Sequence, residues 1–308
     1  MTPVRLIVDT DTAGDDVFSL LLALRRPEAR VEAITVVCGN VRFEQQVENA
    51  LLAVEKAGRG GEVPVYPGCE RPLIAKWRGA EYVHGQDGMG DSFFPPAGQR
   101  PEQEHAVDVI VRLARERPGE LTILAQGPLT NIAAAAVRDS SLAANVKHLW
   151  IMGGGAGNIT PAAEYNFYVD PEAAKIVFAA GFRITLFTWT LTLRDGVFGD
   201  DKLATITGLD SELSRFFDQV NRKALEFERS VGISGSTHPD AMTCAAILDE
   251  SLILDASDCF VDVETAGELT RGYSLIDPGG RRTREPNARV VERFDTERFF
   301  ELMLTVLR

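Results

Sequence analysis

Val4-Arg5-Leu6-Ile7-Val8-Asp9-Thr10-Asp11-Thr12-Ala13-Gly14-Asp15-Asp16 opens the chain, and the order of residue types in this stretch decides the fold. The apolar run over residues 4–8 predicts a buried strand, and the polar turn behind it hands over at Val17 to an apolar helix that ends near residue 25. Strand, turn and helix in that order make the first half of a βαβ unit. The pattern then repeats. Strand-like runs recur at 31–37, 121–125, 148–152 and 184–187, and helical spacing fills 16–25, 43–56, 104–116, 129–137 and 171–179. Such alternation predicts an α/β fold, doubly wound, with a mostly parallel sheet covered on both faces. Residues 199–229 read as helical without a strand, while 258–263, 272–276 and 288–291 read as late antiparallel strands before a terminal helix from Asp295. With no internal repeat and no low-complexity tract, all 308 residues read as a single domain.

Composition narrows the function classes. A net charge of −13 disfavours nucleic acid and anionic membranes as partners, and no basic patch offsets it. No aliphatic run approaches the roughly 20 residues of a membrane span. The start of the chain lacks the basic and apolar regions of a secretory signal. Cys38, Cys69, Cys244 and Cys259 are scattered and form no C-x-x-C pair, so free thiols and a cytoplasmic location are expected.

Asp9, Asp11, Asp15 and Asp16 crowd the end of the first strand. Capping and favourable first-turn charges account for one or two of them, not for all of them. A hard cation, which takes about six to eight oxygen ligands, is the usual remedy for such repulsion. An EF-hand is excluded, because Ala13 occupies a ligand position and Leu20 stands where the loop's closing Glu belongs. Asp9-Thr10-Asp11-Thr12 is close to the D-x-D-x-T/V of haloacid-dehalogenase-type phosphatases, but Ala13 replaces their Thr or Val. In an open parallel sheet, ligands bind beyond the carboxyl ends of the strands. The other polar segments in that position are 39–40, 126–131, 153–166 and, after the mid-chain helices, 237–240.

Taken together, these segments resemble the inosine-uridine nucleoside hydrolase family over nearly the whole chain. The opening run is similar to that family's D-x-D-x-G-x-D-D and is followed by Val37-Cys38-Gly39-Asn40. Val83-His84-Gly85-Gln86-Asp87-Gly88-Met89-Gly90 matches its H-G-x-x-G-x-G loop, and Gly127-Pro128-Leu129-Thr130-Asn131 its G-P-L-T-N. Met152-Gly153-Gly154-Gly155 with Asn158, Glu164 and Asn166 matches its M-G-G-G…N…E-x-N block, and His238-Pro239-Asp240 holds its late Asp. Two departures stand out. Thr12-Ala13 replaces Pro-Gly, and Pro239 occupies the place of the histidine that normally precedes the late Asp, which displaces His238 by one position.

The resemblance implies hydrolysis of the N-glycosidic bond of ribonucleosides with calcium as cofactor. It places Asp11, Asp16, Asp240 and the carbonyl of Thr130 on the metal, Asp11 as general base, and His238 as the candidate proton donor to the base. Asp15, Asn40, Asn158, Glu164 and Asn166 fall to the ribose hydroxyls, with Asp9 supporting the loop from behind. His84 is expected to contact ribose or base, and Trp189 is as suited to stacking on the base as to the core. Phe216, Phe217 and Phe227, at helical spacing, read as core, and His105 and His148 as structural. A homodimer or homotetramer is implied. The competing readings are a haloacid-dehalogenase-type phosphatase and a non-catalytic ribonucleoside-binding protein.

Overall fold

The computed structural model describes residues 2–279 and 284–308. Its first half alternates as β1 (Val4–Thr10), α1 (Gly14–Arg25), β2 (Ala29–Val36), α2 (Phe43–Lys56), β3 (Val65–Pro67), α3 (Glu81–His84), α4 (Ala106–Glu116) and β4 (Leu121–Ala125). It continues with α5 (Thr130–Arg138), α6 (Leu142–Asn145), β5 (His148–Met152), α7 (Tyr165–Val169), α8 (Pro171–Ala179), β6 (Ile184–Phe187) and α9 (Trp189–Asp195). Beyond these come β7 (Val197–Phe198), α10 (Asp200–Thr207), α11 (Glu212–Ser230), β8 (Ser236–Thr237) and α12 (Pro239–Leu248). The chain closes with β9 (Ile253–Val263), β10 (Ser274–Asp277), β11 (Ala288–Phe294) and α13 (Thr296–Leu307).

Among the described residues, nine strands form one sheet in the order β10-β9-β11-β6-β5-β4-β1-β2-β3. From β3 to β6 every neighbour is parallel, β11 joins β6 in parallel, and β9 and β10 add antiparallel pairings at the edge. This is the doubly wound, mostly parallel fold the alternation predicts. Period-two packing explains why both faces are covered. Leu6 and Val8 sit in one apolar cluster with α1, α2 and α12, whereas Ile7 belongs to a second cluster with α4, α5 and α8. No described helix is long and apolar enough to cross a membrane.

Three small elements escape the sequence pattern. β3 is only Val65–Pro67, and its proline is tolerated because the strand lies at the sheet edge. β7 and β8 pair antiparallel over Val197↔Thr237 and Phe198↔Ser236, which is too short to register as periodicity. β8 nonetheless sets the entry to α12.

The winding reverses at β1, whose neighbours are β2 and β4, so the loops behind these strands splay apart and leave a crevice. Asn131, in the first turn of α5, ties that region together. Its Nδ2 donates to Asp9 Oδ1 (2.8 Å) and to the Val36 carbonyl (3.1 Å), and its Oδ1 accepts from the Cys69 amide (2.8 Å). Asn131→Ala strands several buried polar groups at once. We expect a loss of about 2–4 kcal/mol in urea unfolding with an unchanged m-value. A change of less than about 0.5 kcal/mol would show that these bonds do not hold the crevice.

Candidate active site

The crevice floor is built from the turn after β1 and the start of α12. Asp9 stays behind it: fully buried, its Oδ1 accepts from Thr35 Oγ1 (2.6 Å) as well as from Asn131, and burial pushes its pKa up to about 7. Asp11 lies between the turns that follow β2 and β4. A Cβ at Gly39 would stand 1.8 Å from Asp11 Oδ2, and one at Gly127 would stand 2.7 Å from Asp11 Oδ1, so only glycine fits at either place. Asp11 Oδ2 accepts from the Asn40 amide (3.0 Å), while Oδ1 is buried without a partner. Burial, then the charges of Asp16 and Asp15, hold the Asp11 pKa well above the carboxylate range.

Asp16 is anchored by Thr10 Oγ1 (2.6 Å) and Gln126 Nε2 (3.0 Å) on Oδ1 and by the Ala13 amide (2.9 Å) on Oδ2. Asp15, Asp16 and Asp240 each point one oxygen at a common space, with those atoms all within 4.8 Å of one another. Burial is the main cause that raises Asp15 to about 6 and Asp16 to about 7. Asp240 rises well above its usual range through burial and then through Asp15, Asp16, Asp11 and Glu164. Among the described residues, Asp15 Oδ1 and Asp240 Oδ1 find no hydrogen-bond partner. The tight trio therefore contains Asp15, which the sequence suggested for the sugar, with Asp11 electrostatically coupled beside it. Thr130 is buried in the first turn of α5, and its hydroxyl is taken by Asp170 (2.7 Å).

Above the floor opens a cavity of about 350 Å³. Asp15, Asn40, Asn158, Glu164, Asn166 and Asp240 line its polar end, together with Gln126, whose role no sequence motif announced. Glu164 caps α7: its oxygens accept from the amides of Asn166 (2.8 Å), Gly154 (2.8 Å) and Phe167 (3.2 Å). Burial lifts its pKa to about 7 despite these bonds. His84 and Trp189 also face the cavity. His84 Nδ1 lies 3.9 Å from Asp15 Oδ1, and burial lowers the ring's pKa to about 4, so it is neutral at neutral pH.

His238 is placed elsewhere. It is fully buried and absent from the cavity lining, although Thr237 and Pro239 on either side of it are present there. Its ring packs 4.6 Å from Phe198, 5.5 Å from Phe217 and 5.7 Å from Phe18, with both nitrogens unpartnered, and burial drops its pKa to about 3. The expected proton donor thus sits as a neutral ring in an aromatic core. Phe227 makes the opposite move. Phe216 and Phe217 are core as the spacing predicts, but Phe227 lines the cavity beside Tyr82 (5.4 Å between centroids). Asn221, Glu228 and Val231 join it from the same stretch of chain; sequence reasoning missed them because an amphipathic helix does not reveal what its apolar face covers. His105 caps α4 and His148 bonds Thr185 Oγ1 (2.9 Å), both structural as read.

Comparison with known proteins agrees with this arrangement. Residues 6–301 match the family described as inosine-uridine preferring nucleoside hydrolase. The chain is similar to Uridine nucleosidase 1 of Arabidopsis thaliana, 38% identical over 288 residues that cover 90% of this chain and 83% of that protein. It is also similar to the inosine-uridine preferring nucleoside hydrolase of Crithidia fasciculata, 33% identical over 312 residues that cover 99% and 98% of the two chains. Among solved structures, a plant nucleoside hydrolase, the PpNRh1 enzyme, superposes with a TM-score of 0.93 at 32% identity over 99% of each chain. A doubly wound sheet with an acid-floored cavity at its switch point, matched end to end by such relatives, places this chain in the inosine-uridine preferring nucleoside hydrolase family of N-glycosidases.

Proposed function

We propose that this enzyme hydrolyses ribonucleosides to ribose and free base with calcium as its cofactor and Asp11 as the general base. One observation carries the reading: among the described residues, unpartnered carboxylate oxygens of Asp15 and Asp240 are buried at a cavity lined with hydrogen-bonding groups, and Asp11, within electrostatic reach of Asp15 and Asp16, buries a further unpartnered oxygen. An all-oxygen donor set with unsatisfied buried atoms fits a hard divalent cation. Asp15, Asp16 and Asp240 would hold it, with Asp11 and the Thr130 carbonyl as the further ligands of the family resemblance. When bound, calcium supplies the charge that lets these carboxylates ionise together, and it favours deprotonation and orientation of a water molecule.

The remaining chemistry belongs to the chain. As a water oxygen bonds to C1′ of the ribose, Asp11 takes its proton. The Asn40 amide fixes Asp11 Oδ2, and Oδ1 is left free to accept. Bond cleavage leaves positive charge on the sugar, which the acidic floor stabilises. Asn40, Asn158, Asn166 and Asp15 are suited to the ribose hydroxyls, and neutral His84 serves as a hydrogen-bonding group rather than an acid. Glu164 contributes mainly by pinning the Gly154 and Asn166 amides, which orients the loop. A site built to bond hydroxyls rejects a sugar that lacks one, so ribose is favoured over deoxyribose.

The alternatives fit less well. A haloacid-dehalogenase-type nucleophile would be Asp9, but that carboxylate is fully buried behind the floor and held by Thr35 and Asn131. A pure binding protein has no need of unpartnered buried carboxylates, which cost stability.

Release of reducing sugar from a panel of ribonucleosides tests the reading. Thorough chelation should abolish the activity and added calcium should restore it; full turnover in protein shown to be metal-free would contradict the proposal. Asp11→Asn should lower kcat by about 10²–10⁴-fold while calcium still binds. Near-normal kcat in that variant would remove Asp11 from the role of base.

A further inference from the structure

The departing base needs a proton, and the residue that sequence offers for it, His238, is sealed among Phe18, Phe198 and Phe217. Its neighbour Pro239 faces the cavity instead and has no proton to give. The cavity is also lined by α11, which contributes Asn221, Ala224, Phe227 and Glu228 at helical spacing. Glu228 is the one ionisable side chain that α11 contributes to the described cavity lining. It is 5% exposed. Its Oε1 accepts from both the amide (3.0 Å) and the hydroxyl of Thr237, whereas Oε2 is buried with no hydrogen-bond partner among the described residues.

We propose that Glu228 is the catalytic acid that protonates the leaving base in this chain, doing from α11 what His238 cannot do from the start of α12. The assignment rests on the nucleoside hydrolase reading above. Two donors from Thr237 make Oε1 the accepting oxygen, so the carboxyl proton resides on Oε2. Burial pushes the pKa to about 8, with the nearby Asp15 charge adding to the rise, and Glu228 therefore carries its proton at neutral pH. The surroundings suit a nucleobase: Phe227, Val231, Ile233, Leu193 and Trp189 supply apolar and aromatic surface to the same cavity. As the C1′–N bond breaks, its electron pair passes to the base and the proton of Glu228 Oε2 goes with it to a ring heteroatom. The attacking water's oxygen bonds to C1′ and its proton leaves through Asp11 to solvent. A solvent proton then returns to Glu228, so the net reaction consumes one water.

Glu228→Gln tests this. The amide oxygen still accepts from Thr237, but an amide transfers no proton. Wild type and variant are assayed side by side on uridine, inosine and 4-nitrophenyl riboside, whose leaving group is stable as an anion. The expected result is a fall of about 10²–10³-fold in kcat on the natural nucleosides, with the nitrophenyl riboside within about threefold of wild type. Glu228→Asp, which keeps an acid, should recover part of the loss on nucleosides. Equal losses on all substrates, as a folding defect or a distorted floor would cause, overturn the assignment, as does no loss on any. A substrate split produced by His238→Ala and not by Glu228→Gln also overturns it. Wild-type protein inert on every riboside would instead sink the nucleoside reading, and this assignment with it.

Discussion

Mutual repulsion among buried carboxylates is the constraint on which this structure turns. Asp15, Asp16 and Asp240 bring oxygens to within 4.8 Å of one another, with Asp11 coupled to them and Asp9 directly behind. At an effective dielectric constant near 20, each ionised pair at that separation costs at least roughly 3 kcal/mol. Three such pairs consume most of the roughly 5–15 kcal/mol by which a typical domain is stable. Hydrogen bonding relieves Asp16 and half of Asp11, but no hydrogen bond among the described residues reaches Asp240 Oδ1 or Asp15 Oδ1. A crevice with that electrostatic cost persists because it is useful. On the function proposed above, it would hold a cation and face the sugar on which positive charge develops.

The rest of the fold serves to keep these groups in place. β1 is an interior strand flanked by β2 and β4, so its last residues cannot move without disturbing both neighbours. α1 and α12 are buried nearly all round and pack on each other, which fixes Asp16 and Asp240 at their N-terminal turns. Asn131 and Gln126 link the same strand ends by hydrogen bonds, giving a rigid floor rather than a mobile loop.

Much of this was legible in the sequence, because the informative residues are local. Residues 121–125, 148–152, 171–179 and 184–187 carry periodicity strong enough that the observed elements β4, β5, α8 and β6 have those same bounds. The acidic run announced itself because its members are neighbours in the chain. What lay hidden depends on tertiary packing. Whether Phe227 faces core or cavity is set by how α11 lies across the crevice, and Glu228 looks like one charge among many in 212–230. His238 was ambiguous for a sharper reason: a following proline favours an extended residue before it, but the observed backbone (φ −137°, ψ 60°) lies outside that range, and its imidazole can be seen to pack against Phe198 and Phe217 only once those rings are placed. One displaced position in a motif thus moved a titratable ring from cavity to core.

The central claim, that the floor is an electrostatic liability relieved by one bound cation, is tested most directly by melting curves of wild type and Asp240→Asn, each with chelator and with calcium. Asp240 is raised by burial and four neighbouring carboxyl groups, so removing its charge should raise the melting temperature in chelator. Calcium should stabilise wild type by mass action and leave Asp240→Asn almost unchanged, so that the order of stability reverses between the two conditions. A wild-type melting temperature indifferent to calcium, or the same calcium gain in both proteins, would contradict the account.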